Sequence, residues 1–324
     1  MNRRTFVAAA VAGAGLAAGR AVAQSWPAKP VRVVIPFPPG GPTDNLARPL
    51  LQRLSERMGQ QFVIDNRAGA NGNIGAEHVA RVAPDGHTFF WSPTGTMAVN
   101  PAIYPKLGFD PVKDFAPVSL VATVEGILIV AAASPYRTVR ELIADARANP
   151  GRLTFASPGT GSVVHLLGEQ LRHLGGIDIV HVPYKGGAPA MTDLIGGQVT
   201  MMFDSTAAAL NQARAGKVRM LATGAKRRLA QVPDLPTMEE AGVAGYDSSS
   251  FHAVYAPAAT PRAVVDRLSA EIAAALKTPE IRERYNALGS EPVGSSPEAL
   301  AAALKEATER WGGLARRINL KVDG

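Results

Sequence analysis

The chain has 324 residues, 46% of them hydrophobic and 19% charged, with a formal charge of +7. These values describe ordinary globular material of about two domains and exclude a mainly disordered or collagen-like chain. With no cysteine, disulfides, cysteine nucleophiles, iron–sulfur clusters, thiolate zinc sites and a lipid anchor on cysteine are excluded together.

Residues 1–23 read as an export signal. Arg3 and Arg4 supply the basic start, and an apolar stretch from Phe6 to Gly19 follows, shorter than the about 20 residues of a membrane span. Ala21-Val22-Ala23 offers a small-x-small cleavage site. Asn2 to Val7 resembles a twin-arginine signal, with a plain Sec signal as the competing reading. Cleavage leaves 324 − 23 = 301 residues; Arg3, Arg4 and Arg20 depart with no acid, so the charge becomes 7 − 3 = +4. That balance is too modest to argue for nucleic acid, which export to the periplasm also disfavours. Gly13 to Ala18 matches a dinucleotide fingerprint, but no strand precedes it and it leaves with the signal.

Strands are expected at Val31–Ile35, Phe62–Ile64 and Thr88–Trp91, separated by helices over Thr43–Met58 and Asn73–Val82. Val118–Val121 and Gly126–Ala132 are further strands. Strand and helix then alternate: helix Thr138–Ala148, strand Leu153–Ala156, helix Ser162–Leu174, strand Ile179–Val182, helix Pro189–Ile195, strand Thr200–Phe203, helix Thr206–Ala215 and strand Val218–Thr223. Phe251–Ala256 is a last strand. Two helical stretches without strands follow, Pro261–Leu288, breaking near Pro279, and Pro297–Ile318. This order implies an α/β fold with parallel sheets covered on both faces. Two such units exceed one sheet. Domain 1 is expected at 24–124 plus 247–324, and domain 2 at 125–246.

Ligands of α/β sheets bind beyond the carboxyl ends of the strands. Four loops there are rich in glycine or hydroxyl groups. Pro36 to Asp44 contains Pro39, Gly40, Gly41, Thr43 and Asp44 and opens a helix, where free N–H groups bind anions; Thr43 or Asp44 could instead cap that helix. Ser92 to Thr96 contains Ser92 and Thr94. Ser157 to Ser162 contains Ser157, Thr160, Gly161 and Ser162. Pro183 to Pro189 contains Lys185 and Gly186. Together they point to a small oxyanion in a cleft. Asp204 ends a strand at the same rim, as a ligand contact or as a helix cap. His165 lies one turn into a helix, facing the cleft or satisfied in the core. No Gly-x-Ser-x-Gly elbow, Ser-x-x-Lys, P-loop or His-Glu-x-x-His motif is present. No catalytic residue, metal or cofactor is expected.

The run Val34 to Asp44 resembles the opening of the Bug-type extracytoplasmic solute-binding receptors of the tripartite tricarboxylate transporter family. Asp65 to Gly75 is similar to a second motif of that family. Pro84-Asp85-Gly86, Asn100 to Tyr104, Asp114 to Val118, His181 to Ala190, Asp193 to Val199 and Ala256 to Pro261 follow in the family's order. The resemblance spans essentially the whole mature chain. It implies a two-domain, type II-like periplasmic binding protein. Each domain would be a mainly parallel sheet flanked by helices, the two joined by two crossing hinge strands and closing on a ligand. It implies a small carboxylate ligand: a di- or tricarboxylate, an acidic amino acid or an aromatic acid. It implies integral-membrane transporter subunits as partners, with the receptor a monomer. The family's carboxylate loops carry over onto Gly40, Gly41, Thr43 and Asp44, and onto Ser157, Thr160, Gly161, Ser162, Lys185 and Gly186. Departures are Ala68 for a usual proline, His87 for a tyrosine, Met97 for a histidine, and Phe251-His252 for a Trp-Tyr pair near the cleft. They leave ligand identity open. Two other functions compete: a receptor using the same clamp to signal through a membrane sensor, and an exported α/β hydrolase.

Overall fold

A computed structural model describes residues 26–321, so the expected export signal lies outside the described residues. Strand β1 (Val31–Ile35) leads through helix α1 (Pro42–Met58) to β2 (Phe62–Asn66), then through α2 (Asn73–Ala80) to β3 (Thr88–Pro93). β1 pairs in parallel with both β2 and β3. The β-branched residues of β1 are buried on both faces, which is why it forms a central strand. β4 (Phe115–Val124) then passes through Glu125 directly into β5 (Gly126–Ala131).

The second half holds α4 (Val139–Ala148), β6 (Thr154–Ser157), α5 (Val163–Gly175), β7 (Val180–Pro183), α6 (Gly187–Ile195), β8 (Met201–Ser205), α7 (Thr206–Arg214) and β9 (Val218–Thr223). Local chemistry sets these limits. Thr138 and Glu141 form a reciprocal capping box ahead of α4. Ser162 caps α5 by accepting from the His165 N–H. The chain returns along residues 224–249 to β10 (Ser250–Pro257), then α8 (Arg262–Leu276), α9 (Pro279–Ala287), β11 (Ser290–Pro292), α10 (Pro297–Ala307) and α11 (Gly313–Arg317).

Two sheets result, ordered β11-β4-β10-β3-β1-β2 and β7-β6-β8-β5-β9. Both are mixed. β10 is antiparallel to β3 and β4, and β5 to β8 and β9. The reason is where the chain crosses. β5 begins at Gly126 opposite Ser205, the end of β8, and β10 begins at Ser250 opposite Val124, the end of β4. A strand that starts at the edge where its neighbours end must run against them.

Two expectations need correcting. Residues after Pro93 are helical, not a loop: a π-helical segment spans Gly95–Val99 and runs into α3 (Asn100–Ile103). Met97, Ala98 and Val99 are buried, and packing against the C-terminal helices overrides the turn-like composition. The helical tail also contains a strand, since β11 pairs with the end of β4. Three residues are too few to show alternation in the sequence.

One continuous apolar core joins Phe90 and Phe115 beneath the first sheet to Phe155, Phe203, Tyr246 and Trp311. The two crossings are stitched together. Gly224 N–H donates to the Gly126 carbonyl at 2.8 Å, and Gly126 N–H to Ser248 Oγ at 3.1 Å. Ser248 Oγ in turn donates to Glu125 Oε2 at 2.8 Å.

Glu125 makes this junction sensitive to pH. Burial pushes its carboxyl up to about 7, against an ordinary 4.5; Asp247 adds to the rise, while Ser248, Ser249 and Arg310 oppose it. Between those values the folded state keeps a proton that the unfolded state has lost. Stability therefore falls as pH rises through this window, by on the order of 3 kcal/mol. Glu125→Gln removes that loss. The melting temperature of the variant should exceed that of the wild type by several degrees near pH 8 and by little near pH 5. A difference that stays constant with pH contradicts this.

Candidate functional site

Six stretches of chain meet at the edge where β1, β3 and β4 end. They enclose a cavity of about 600 Å³ lined from the first sheet by Phe37–Thr43, Asn71, Pro93–Thr96, Val124 and Ser250–His252. From the second half Ser162 and Val163, the start of α5, complete it. The size suits a small organic ligand.

The first loop is built around Asp44. This residue is fully buried in the first turn of α1. Its carboxylate accepts from Gly40 N–H at 2.9 Å, from Arg48 Nε and Nη2 at 2.6 and 3.0 Å, and from Asn66 Nδ2 at 3.2 Å. Burial pushes its pKa up, but bonds from Arg48, Gly40 and Asn66 more than offset this and hold it below its ordinary value. Gly40 sits at φ +78°, a left-handed turn that brings its N–H onto that carboxylate. Asn66 Nδ2 also donates to the Phe37 carbonyl at 2.9 Å, fixing the other arm of the loop. Gly41 precedes Pro42 without a side-chain cap. The first-turn N–H groups of Thr43 and Asp44 thus have no partner among the described residues.

The second helix start has the same character. Ser162 Oγ accepts from His165 N–H at 3.2 Å, and the N–H groups of Val163 and Val164 have no partner among the described residues. Two helix N-termini, one from each half, therefore open on one cavity, each presenting unpaired N–H groups and the positive end of a helix dipole. None of the described lining residues is Lys, Arg, Asp or Glu.

Of the residues singled out in the sequence, Pro39, Gly40, Gly41, Thr43, Thr94 and Ser162 line this cavity. Thr94 does so with its hydroxyl engaged: Oγ1 accepts from Phe251 N–H at 2.7 Å and donates to the Phe251 carbonyl at 3.1 Å. Others lie behind the wall. Asp44 holds the loop from within. Ser92 is buried and donates to the Pro93 carbonyl. Ser157 Oγ lies 2.7 Å from His181 Nε2 and accepts from Gly159 N–H, bracing its own loop. Gly161 donates to His165 Nδ1 at 3.2 Å. His165 thereby turns away from the cleft and stacks on His181 at 3.8 Å between ring centres. With Ser162 Oγ and His165 Nδ1 both engaged this way, these two residues do not form a nucleophile–base pair. Thr160 and Lys185 are exposed outside the cavity, and Gly186 N–H donates to the Pro158 carbonyl at 3.0 Å. Asp204 is half-buried beside β5; its carboxylate accepts from Ser205 N–H, and burial raises its pKa.

Asn71, Thr96, Val124, Val163 and Ser250 also line the cavity, and the loop pattern does not single them out. Asn71 adopts φ +51°, and its amide donates to Asn100 Oδ1 at 2.7 Å. Its one signal was the Asn-Gly pair, a turn marker. Among the described residues no cluster of His, Asp and Glu is placed to hold a metal, and no helix is long and apolar enough to cross a membrane.

Residues 46–320 match the family described as tripartite tricarboxylate transporter family receptor. The periplasmic binding protein BugD is 36% identical, with a TM-score of 0.78 over 92% of this chain and 100% of its own. Rpa4515 of R. palustris, solved with adipate, is 38% identical, with a TM-score of 0.82 over 92% and 100%. MatC from Rhodopseudomonas palustris, solved with bound malate, is 34% identical, with a TM-score of 0.76 over 89% and 99%.

Proposed function

The chain belongs to the tripartite tricarboxylate transporter receptor family, a family of periplasmic solute-binding receptors and not of enzymes, and we propose that it captures a small carboxylate between its two halves and delivers it to a membrane transporter. One observation carries this reading: the starts of α1 and α5 open on a single cavity that has no cationic lining residue. A carboxylate there is held by N–H groups and hydroxyls, charge-assisted bonds that need no counter-ion. Adipate and malate in relatives support the ligand class. The proposed contacts are Gly40, Gly41, Thr43 and Ser162, with Asp44 keeping the first loop in shape.

Capture is by closure. A ligand that touches both halves selects the state in which they meet, and the closed surface is what the transporter reads. Residues 24–124 with 247–324 and residues 125–246 are the proposed moving bodies, turning about the Glu125 and 224–249 crossings. Export by residues 1–23 would bring the receptor to the periplasm. The test is thermal melting of ligand-stripped protein against a panel of carboxylic acids. At saturation a cognate acid at a hundred times its dissociation constant adds about 2.7 kcal/mol of stability. The absence of a shift with any acid contradicts the proposal.

A further inference from the structure

His252 stands apart from the rest of the cavity wall. It is buried on β10, lines the cavity, and contacts Trp91 of β3, whose ring belongs to the core under α1. Trp91 Nε1–H lies 3.2 Å from His252 Nδ1. An indole N–H can only donate, so Nδ1 accepts, and the proton of the neutral ring sits on Nε2. Burial pushes the imidazole down to about 4, so it is neutral at ordinary pH. Nε2 has no partner among the described residues, and it is not one of the polar atoms sealed without a partner, so it keeps access to open space.

Its position is remote from the first helix start. β3 lies between β10 and β1, so His252 sits two strand spacings, roughly 10 Å, along the edge from the end of β1. Pro93, Thr94, Val124, Ser250 and Phe251 line the same part of the cavity, and the Thr94 and Ser250 hydroxyls already donate to the Phe251 and Val124 carbonyls. A second carboxylate here would lose its hydration among apolar groups and one neutral donor, with no cation to offset the loss.

Resting on the receptor reading above, we propose that His252 selects the far end of the ligand. Its Nε2–H donates to a neutral acceptor, a carbonyl, ether or hydroxyl oxygen, at the end of a small monocarboxylate opposite the carboxylate. The tautomer is set by Trp91 and not by the ligand, so the donor is in place before binding. This separates the chain from the relatives solved with the dicarboxylates adipate and malate.

The test is calorimetric titration of ligand-stripped protein with straight-chain acids of increasing length. Three forms are used at each length: the plain alkanoic acid, the same acid ending in a methyl ketone, and the dicarboxylate. At the best length the keto acid should bind about tenfold tighter than the alkanoic acid, the worth of one hydrogen bond. His252→Phe should bring that ratio to about one, whatever it does to the affinity for both acids together. His252→Gln, whose amide can accept from Trp91 and still donate, should restore it. The Gln variant also answers for folding, because it keeps the Trp91 bond that Phe loses. A ratio unchanged by His252→Phe, a dicarboxylate tighter than the keto acid, or no preference for the ketone in the wild type overturns this inference and leaves carboxylate capture standing. Failure of every acid to bind overturns both.

Discussion

Replacing Asp44 with alanine should weaken carboxylate binding about a hundredfold or more, a loss of about 2.7 kcal/mol. The residue does not need to touch the ligand for this. Its carboxylate is the common acceptor for Gly40, Arg48 and Asn66, and these bonds fix the loop whose N–H groups face the cavity. Without it the loop must be ordered at the moment of binding, and that cost is subtracted from affinity. The fold suffers too. Exposed Gly40, half-buried Asn66 and half-exposed Arg48 each recover water in part, so losing their common acceptor costs the fold roughly 1–2 kcal/mol. Thr160→Ala, on the exposed side of the other loop, should leave both affinity and melting temperature near wild type. Equal affinity in Asp44→Ala and wild type would falsify the placement of the carboxylate at the α1 start.

Gly289→Ala should be among the most disruptive single-methyl changes in the chain. Gly289 closes α9 with φ +69°, and a Cβ there would stand 2.4 Å from the backbone nitrogen of Ala207 at the start of α7. The left-handed conformation costs an alanine about 1–2 kcal/mol. The overlap adds about 1–3 kcal/mol, because the atom it meets is backbone and cannot rotate away. The only relief is to move α7, in one half, away from the turn in the other. Melting should therefore fall by roughly 5 to 15 °C. Affinity for a ligand that bridges the halves should fall with it. Gly197→Ala, at φ +74° with nothing within 4 Å of a Cβ, is the matched control and should show only the conformational cost, with affinity unchanged. A Gly289→Ala protein as stable as that control would show that the two halves do not meet at this turn.

How much of this was legible in the sequence depends on how local the cause is. α1, α4 and β1 carry their own signals in periodicity, caps and β-branching, and the elements form within a few residues of where those signals lie. The mixed character of both sheets was not legible. It follows from the edge at which β5 and β10 enter, a property of the whole path. β11 has no pattern of its own and exists because the end of β4 offers it a ladder. At the site, the glycine-rich loops announced the two helix starts, since glycine and hydroxyl residues there reflect exposed backbone. The division of labour within the loops was hidden. Asp44 and Thr43 are adjacent and equally polar, yet only Thr43 lines the cavity. His165 was one turn from the right place, but the Gly161 N–H and the His181 ring draw it inward. The Phe251-His252 pair was visible as a departure from the family pattern; what His252 can donate became readable only once Trp91 stood beside it.

A cavity that holds a carboxylate by the N–H groups of two helix starts must tell an acid from its ester. Calorimetric titration of ligand-stripped protein with the acid that gives the largest thermal shift, beside its methyl ester, tests this most directly. The ester keeps the shape of the acid and loses the charge and one full acceptor oxygen. The acid should show a measurable dissociation constant, and the ester should bind at least about a hundredfold more weakly. Equal affinity for acid and ester would contradict it.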